Sequence, residues 1–138
     1  MANLDTIRKT FDSYLSDNWN VNYITWDNTE RPLTQDVEWI RPFLSVENSE
    51  NVTIGGYVGN YRIRHTGTYI IQVFTPINKG IGDINRTVDE LFKLFNNKTL
   101  HPDIFIYAST IDRLGDEGNG WYQINVSIPF TADQLDTD

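Results

Sequence analysis

Three stretches of this sequence gather residue types that do chemistry. The first, Pro76-Ile-Asn-Lys-Gly-Ile-Gly82, leads from an apolar run into a helical pattern, where backbone N–H groups attract anions. A phosphate-cradling loop needs Gly-x-x-x-x-Gly-Lys-Ser/Thr. Here Lys79 precedes Gly80, and Asp83 stands where the hydroxyl belongs, so an acid would compete with any phosphate. A loop that caps the helix, with Asp83 as the cap, is the better reading. The second stretch, Asp112–Gly120, mixes acids and glycines, but a calcium loop wants an oxygen at its third position and finds Leu114. It reads as a solvated hairpin loop. The third, His101-Pro-Asp103, matches a co-chaperone tripeptide that joins two helices; a strand follows it here.

Catalytic groups are sparse. The chain has no cysteine and only two histidines, His65 and His101, which removes thiol nucleophiles, thiolate metal sites and a His-rich metal centre. There is no nucleophile elbow and no His-Glu-x-x-His spacing. A Ser-His-Asp or paired-carboxylate site assembled only by the fold stays open on spacing alone. Trp19, Trp26, Trp39 and Trp121 could stack on sugars or bases, although aromatic residues on strands serve more often as core or interface anchors.

The elements that must position these residues follow from periodicity. Leu4, Ile7, Phe11, Tyr14 and Leu15 make one stripe of a helix over Leu4–Ser16, with Asn3 as N-cap. A short strand is expected near Val21–Trp26, a turn-rich segment over Asp27–Pro32, and a longer strand over Val37–Val46. Pro42 cannot donate to a ladder, which makes that strand an edge or gives it a bulge. Val52–Tyr57 is a further, weaker candidate strand. Tyr61–Phe74 reads as a hairpin around a Thr66-Gly67 turn, its second arm, Thr68–Thr75, central and covered on both sides.

A second helix carries Ile84, Val88, Leu91, Phe92 and Phe95 on one stripe and ends at Asn96-Asn97. Two strands close the chain, Ile104–Thr110 and Trp121–Phe130. In the last, Tyr122, Ile124, Val126, Ile128 and Phe130 alternate with Gln123, Asn125 and Ser127, the pattern of a strand with one wet face. The expected fold is α+β: a single domain over residues 1–138, a mostly antiparallel sheet with both helices on one face, and a flexible acidic tail from about residue 131.

With 138 residues, 39% hydrophobic and 13% aromatic, the chain can bury a sufficient core without disulfides or metals. Its 19 acidic and 11 basic side chains give a formal net charge of −8, which is wrong for gripping DNA phosphates and suited to letting DNA slide past. No apolar run reaches the length that spans a bilayer, and Met1–Thr10 carries no apolar segment, so synthesis in the cytosol is expected.

In order and spacing, the sequence resembles the tail-terminator-like proteins of tailed phages, related in fold to the terminator of lambda-type siphophages. The residues that carry the likeness are Trp39-Ile40-Arg41, Arg64-His-Thr-Gly67, Ile71-Gln-Val-Phe-Thr-Pro76, Gly80-Ile-Gly82 with Val88, Leu91, Phe92 and Phe95, and Trp121–Phe130. They span about residues 26–130. The resemblance implies a non-enzymatic virion protein without cofactor or metal. Such proteins form a hexameric ring on the head-proximal end of the tail tube, end tube polymerisation and present the surface that joins the head. The implied partners are further copies of the chain, the tail tube protein and the head–tail connector, with DNA passing through the lumen and no membrane involved.

Within that reading the candidate subunit or partner contacts are Trp39, Arg41, Arg62, Arg64 and Lys79, the arginines as inter-subunit ion-pair donors or as ordinary solvated charges. The loops Pro76–Gly82 and Asp112–Gly120 are expected to order on assembly. Another neck, head-completion or minor tail protein, a small-ligand or carbohydrate-binding α+β module, and a small enzyme with an unrecognised polar site are the other readings.

Overall fold

A computed structural model describes residues 3–27, 37–52, 62–77, 80–116 and 120–135. The chain opens with helix α1 (Leu4–Asn18). The Asn3 side chain accepts a 2.9 Å hydrogen bond from the Thr6 backbone N–H, satisfying one of the orphan donors of the first turn. Ile7, Phe11 and Leu15 are buried, while Leu4, at the edge of the stripe, stays exposed. Strand β1 (Tyr23–Ile24), the long strands β2 (Trp39–Asn51) and β3 (Arg62–Pro76), and helix α2 (Gly82–Phe95) follow. Four strands complete the fold: β4 (Thr99–His101), β5 (Ile104–Ile106), β6 (Thr110–Asp116) and β7 (Trp121–Leu135).

The sheet order is β1-β2-β3-β7-β5-β4, with β6 also paired to β7, and every pairing except β1–β2 is antiparallel. This is the expected α+β architecture. Both helices deliver their apolar stripes to the core formed by one sheet face: Ile7, Phe11, Leu15, Ile84, Leu91 and Phe95 meet Tyr69, Ile71, Val73, Ile124, Val126, Ile128 and Phe130. Phe11 stacks on Tyr69 at 4.5 Å between ring centroids and leans on Phe130 at 5.2 Å. Such pairs add about 1 kcal/mol each beyond the area they bury. The Tyr14 hydroxyl donates to the Leu94 carbonyl at 2.7 Å and so ties the two helices together.

Four expectations are corrected. Thr66-Gly67 is no turn: β3 runs straight through it, paired with β2 on one side and β7 on the other. Gly67 is needed for space. A Cβ there would sit 2.3 Å from the Ser45 carbonyl oxygen and 3.0 Å from the Val46 Cα, just where a bulge between Val46 and Asn48 presses β2 onto β3. Strand β3 is central, as its apolar content demanded, but the helices cover one of its faces. Ile70 and Gln72 on the other are half-buried.

The second correction concerns Asp83, which lies in the first turn of α2, paired with Arg86; the cap position is Ile81, without a side-chain cap bond. Third, the expected strand over Ile104–Thr110 is divided, and most of the expected loop is β6, in register with β7 from Thr110↔Ser127 to Asp116↔Tyr122. Fourth, residues 131–135 are no flexible tail: they form the last third of β7, pairing with Arg62–Thr66. Pro42, by contrast, sits where expected, on an edge among the described residues: β1 pairs with β2 at Trp39 and Ile40 and ends before Pro42. Val52 ends the described part of its segment, and the candidate strand beyond it lies outside the described residues.

Candidate interaction surface

The sheet face turned away from the helices carries most of the sequence-derived candidates, and the register places them on it. Cross-strand partners share a face, so Arg41, Gln72, Asn125 and Asp112 form one rung over β2, β3, β7 and β6. Phe43, Ile70, Ser127 and Thr110 form the next. Farther along come Asn48, Thr66, Thr131 and Phe105, then Glu50, Arg64 and Asp133. The middle of this open face thus mixes amides and hydroxyls with the apolar side chains of Phe43 and Ile70. Its two ends differ.

At one end Trp39 is only 7% exposed. Its ring stacks on Phe74 at 4.2 Å and 14°, and meets Trp121 edge-on at 6.0 Å. The Arg41 guanidinium carbon lies 5.1 Å from the Trp39 ring centroid, within cation–π range. These rings are packed against one another, and Trp19 and Trp26 belong to or border the core. The four tryptophans therefore act as packing groups rather than as a stacking platform for sugars.

At the other end Asp133 collects both remaining arginines. Arg64 Nε donates to Oδ1 at 2.9 Å and Nη2 to Oδ2 at 3.3 Å, while an Arg62 nitrogen lies 3.8 Å from Oδ2. The Asp133 carboxylate favours the charged guanidinium and raises the Arg64 pKa further above its ordinary value. Beside this cluster, Phe105 is 46% and Tyr107 50% exposed, and the Tyr107 hydroxyl is 3.2 Å from Thr131 Oγ1.

The structure brings Trp39 and Arg41 together and brings Arg62 and Arg64 together, but the pairs stand roughly 30 Å apart along β3. Lys79 lies outside the described residues, as does part of each loop expected to order on assembly. Sequence reasoning missed Asp133, Phe105 and Tyr107. The alternation Ile128, Phe130, Ala132 continues past Phe130 and is the signal that would have extended β7 to include Asp133.

A separate cleft of about 720 Å³ lies between the start of α2 and the entrance to β2, with Glu38 in its wall. Glu38 Oε2 accepts from Asn22 Nδ2 at 2.7 Å and from the Thr87 hydroxyl at 2.6 Å, and Asn22 in turn accepts from the Trp19 indole at 2.9 Å. Burial pushes the Glu38 pKa above the ordinary carboxylate value, partly opposed by the Thr87 and Asn22 hydrogen bonds. This relay ties the end of α1 to β2 and α2. Among the described residues no group of three His, Cys, Asp or Glu side chains is placed to hold a metal ion. His65 is buried in a separate network, with Ser49 Oγ and Gln134 Oε1 each 2.7 Å from a ring nitrogen.

Comparison with known proteins adds the following. A family model described as phage tail terminator protein matches residues 6–130. No curated protein matches the chain. One solved chain superposes with a TM-score of 0.65 at 18% identity, over 94% of this chain and 95% of that one, a likeness of fold.

Proposed function

The chain belongs to the phage tail terminator protein family, and from that membership we propose that it assembles into a ring, a hexamer, that caps the head-proximal end of the tail tube. The coarser statement, that it is a structural component of a phage tail, comes with the family. The finer reading has it stop tube polymerisation, offer the surface that joins the head and let DNA pass through its lumen. Further copies of itself, the tail tube protein and the head–tail connector are its partners. The protein works in the virion after assembly in the host cytoplasm, and it catalyses no reaction.

The observation that carries this reading is the family match over residues 6–130, nearly the whole chain. The net charge of −8 supports it, since an acidic ring does not hold DNA in transit. Heterologous contacts close into rings only when the rotation per subunit suits, and an edge strand interrupted by Pro42 limits open-ended strand pairing.

Electron microscopy of a phage lysate in which this gene is disrupted tests the proposal. Over-long tails separate from filled heads are expected. Tails of normal length would overturn the terminator role, and normal tails with unjoined heads would move the protein to the neck.

A further inference from the structure

Ser49, His65 and Gln134 come from three strands and meet on one face of the sheet. Ser49 stands opposite His65 between β2 and β3, and His65 opposite Ala132 between β3 and β7, with Gln134 two residues farther along β7. Ser49 Oγ lies 2.7 Å from His65 Nδ1, and His65 Nε2 lies 2.7 Å from Gln134 Oε1. Ala132, buried and small, leaves the imidazole room to reach past it.

The backbone enforces the contact. The Val52 N–H donates to the Arg62 carbonyl at 2.8 Å. Opposed residues of an antiparallel pair alternate between bonded and unbonded, so Glu50↔Arg64 is a bonded pair and Ser49↔His65 is not. Side chains of an unbonded pair stand closest, which brings hydroxyl and ring together. The same alternation turns the Ser49 N–H to the outer edge of β2. There β1 pairs at Trp39 and Ile40, and among the described residues no strand lies beside Ser49 on that edge.

Hydrogen-bond chemistry then fixes the proton. A glutamine carbonyl oxygen only accepts, so Nε2 carries the ring hydrogen and Nδ1 turns its lone pair to the Ser49 hydroxyl, which donates. Nucleophile, base and orienting group thus stand in hydrogen-bond sequence. Burial is divided to match: the imidazole is 7% exposed, whereas Ser49 is open to solvent.

We propose that Ser49 is a nucleophilic modification site that takes an acyl group from a small activated ester. The hydroxyl oxygen attacks the ester carbonyl carbon as its proton passes to His65 Nδ1. The outward Ser49 N–H is a backbone donor for the oxyanion that forms. The bond from that carbon to the leaving oxygen then breaks, and the leaving oxygen takes the proton from Nδ1 and departs as the alcohol. Ser49 is left as an ester. Its acyl group stands between solvent and the shielded imidazole, so water finds no base and each chain is acylated once, without turnover. The site stands independently of the ring reading.

Full-length protein treated with p-nitrophenyl acetate tests this, read by nitrophenolate release and by peptide mass mapping. A single acetyl group is expected on Ser49, and Ser49→Ala should lose it. A positioned general base contributes about a hundredfold or more, so His65→Gln should slow labelling of Ser49 by at least about that factor. Gln134 is a positioning residue: Gln134→Leu should slow labelling severalfold, and Gln134→Glu, which still accepts from Nε2, should restore it. The Gln134 variants, at a half-buried position, carry the test should His65→Gln fail to fold by circular dichroism. Acetyl groups spread over lysines with none concentrated on Ser49 overturn the proposal. So does labelling of Ser49 that neither His65→Gln nor Gln134→Leu slows. Nitrophenolate release that continues once Ser49 is fully labelled, and that Ser49→Ala abolishes, overturns the single acylation.

Discussion

Arg64 and Asp133 join β3 to β7 through two parallel hydrogen bonds, 2.9 and 3.3 Å long, across a sequence separation of 69 residues. Asp133 is buried, while Arg64 keeps its outer edge in solvent. The bond pair therefore holds the last third of β7 in register at a place where hydrophobic contacts have thinned.

Replacing Asp133 by alanine should cost about 1.5 kcal/mol, the low end for charge-assisted bonds because the guanidinium is half exposed. Denaturant unfolding measures it. A loss within ±0.5 kcal/mol, the ordinary scale of a surface substitution, would show that the pair does not hold the strand.

Gly67→Ala should be far more damaging than its chemistry suggests. The new methyl would meet backbone on two sides, the Ser45 oxygen at 2.3 Å and the Val46 Cα at 3.0 Å, so neither neighbour can swing away. A loss of at least about 2 kcal/mol is expected by thermal denaturation. Gly80→Ala is the control. Its Cβ meets nothing within 4 Å but its φ is +70°, so only the conformational cost of about 1 kcal/mol applies.

Glu38→Gln tests the shielded carboxylate. Because the folded pKa is raised by burial, the folded state disfavours the ionised side chain, and wild-type stability falls as pH rises from the ordinary value of 4.5 through the folded one. Above that window the glutamine variant, which can still accept from Asn22 or Thr87, should be the more stable. Below the ordinary value both side chains are neutral and the difference should vanish. Unfolding curves of the two proteins across this range measure it, and a pH-independent difference would contradict the assignment.

The Tyr69 hydroxyl donates to Asp12 at 2.5 Å from within the core, and burial keeps its phenol protonated far above the usual tyrosine range. Tyr69→Phe keeps the stack on Phe11 but removes this donor, and should lower stability by about 1–2 kcal/mol. Spectroscopic titration of the wild type should show one tyrosine that ionises only on unfolding.

Both helices and the core face of β7 were legible in the sequence because each writes its burial as a period, three to four for Ile84–Phe95 and two for Tyr122–Phe130. Gly67 was misread because glycine serves two ends: it permits a turn, and it permits close approach of two backbones. Only the neighbouring strand, here with its bulge after Val46, decides which. Strand β6 was read as loop because it is exposed on both sides and carries no alternation to detect. Asp133 was assigned to a solvated tail because its partner lies in another strand, and no local pattern encodes a contact of that range. The same holds for the interaction surface. Trp39 and Arg41 are neighbours in sequence and in space, as are Arg62 and Arg64, but the exposure of Phe105 and Tyr107 depends on which face of β5 the fold leaves uncovered.

Strand β7 carries a consequence for biosynthesis. It is the hub of the sheet, bonded along its whole length to β3 and on its other side to β5 and β6, yet it follows every one of them in the chain. On the ribosome β3 waits with one side bare, and among the described residues β6 has no strand to pair with until residues 121–135 emerge. The β3–β7 pairs, from Pro76↔Trp121 to Arg62↔Leu135, form slowly, since a long loop must close before any of them is made. The nascent protein thus holds no finished sheet face until β7 has emerged and paired.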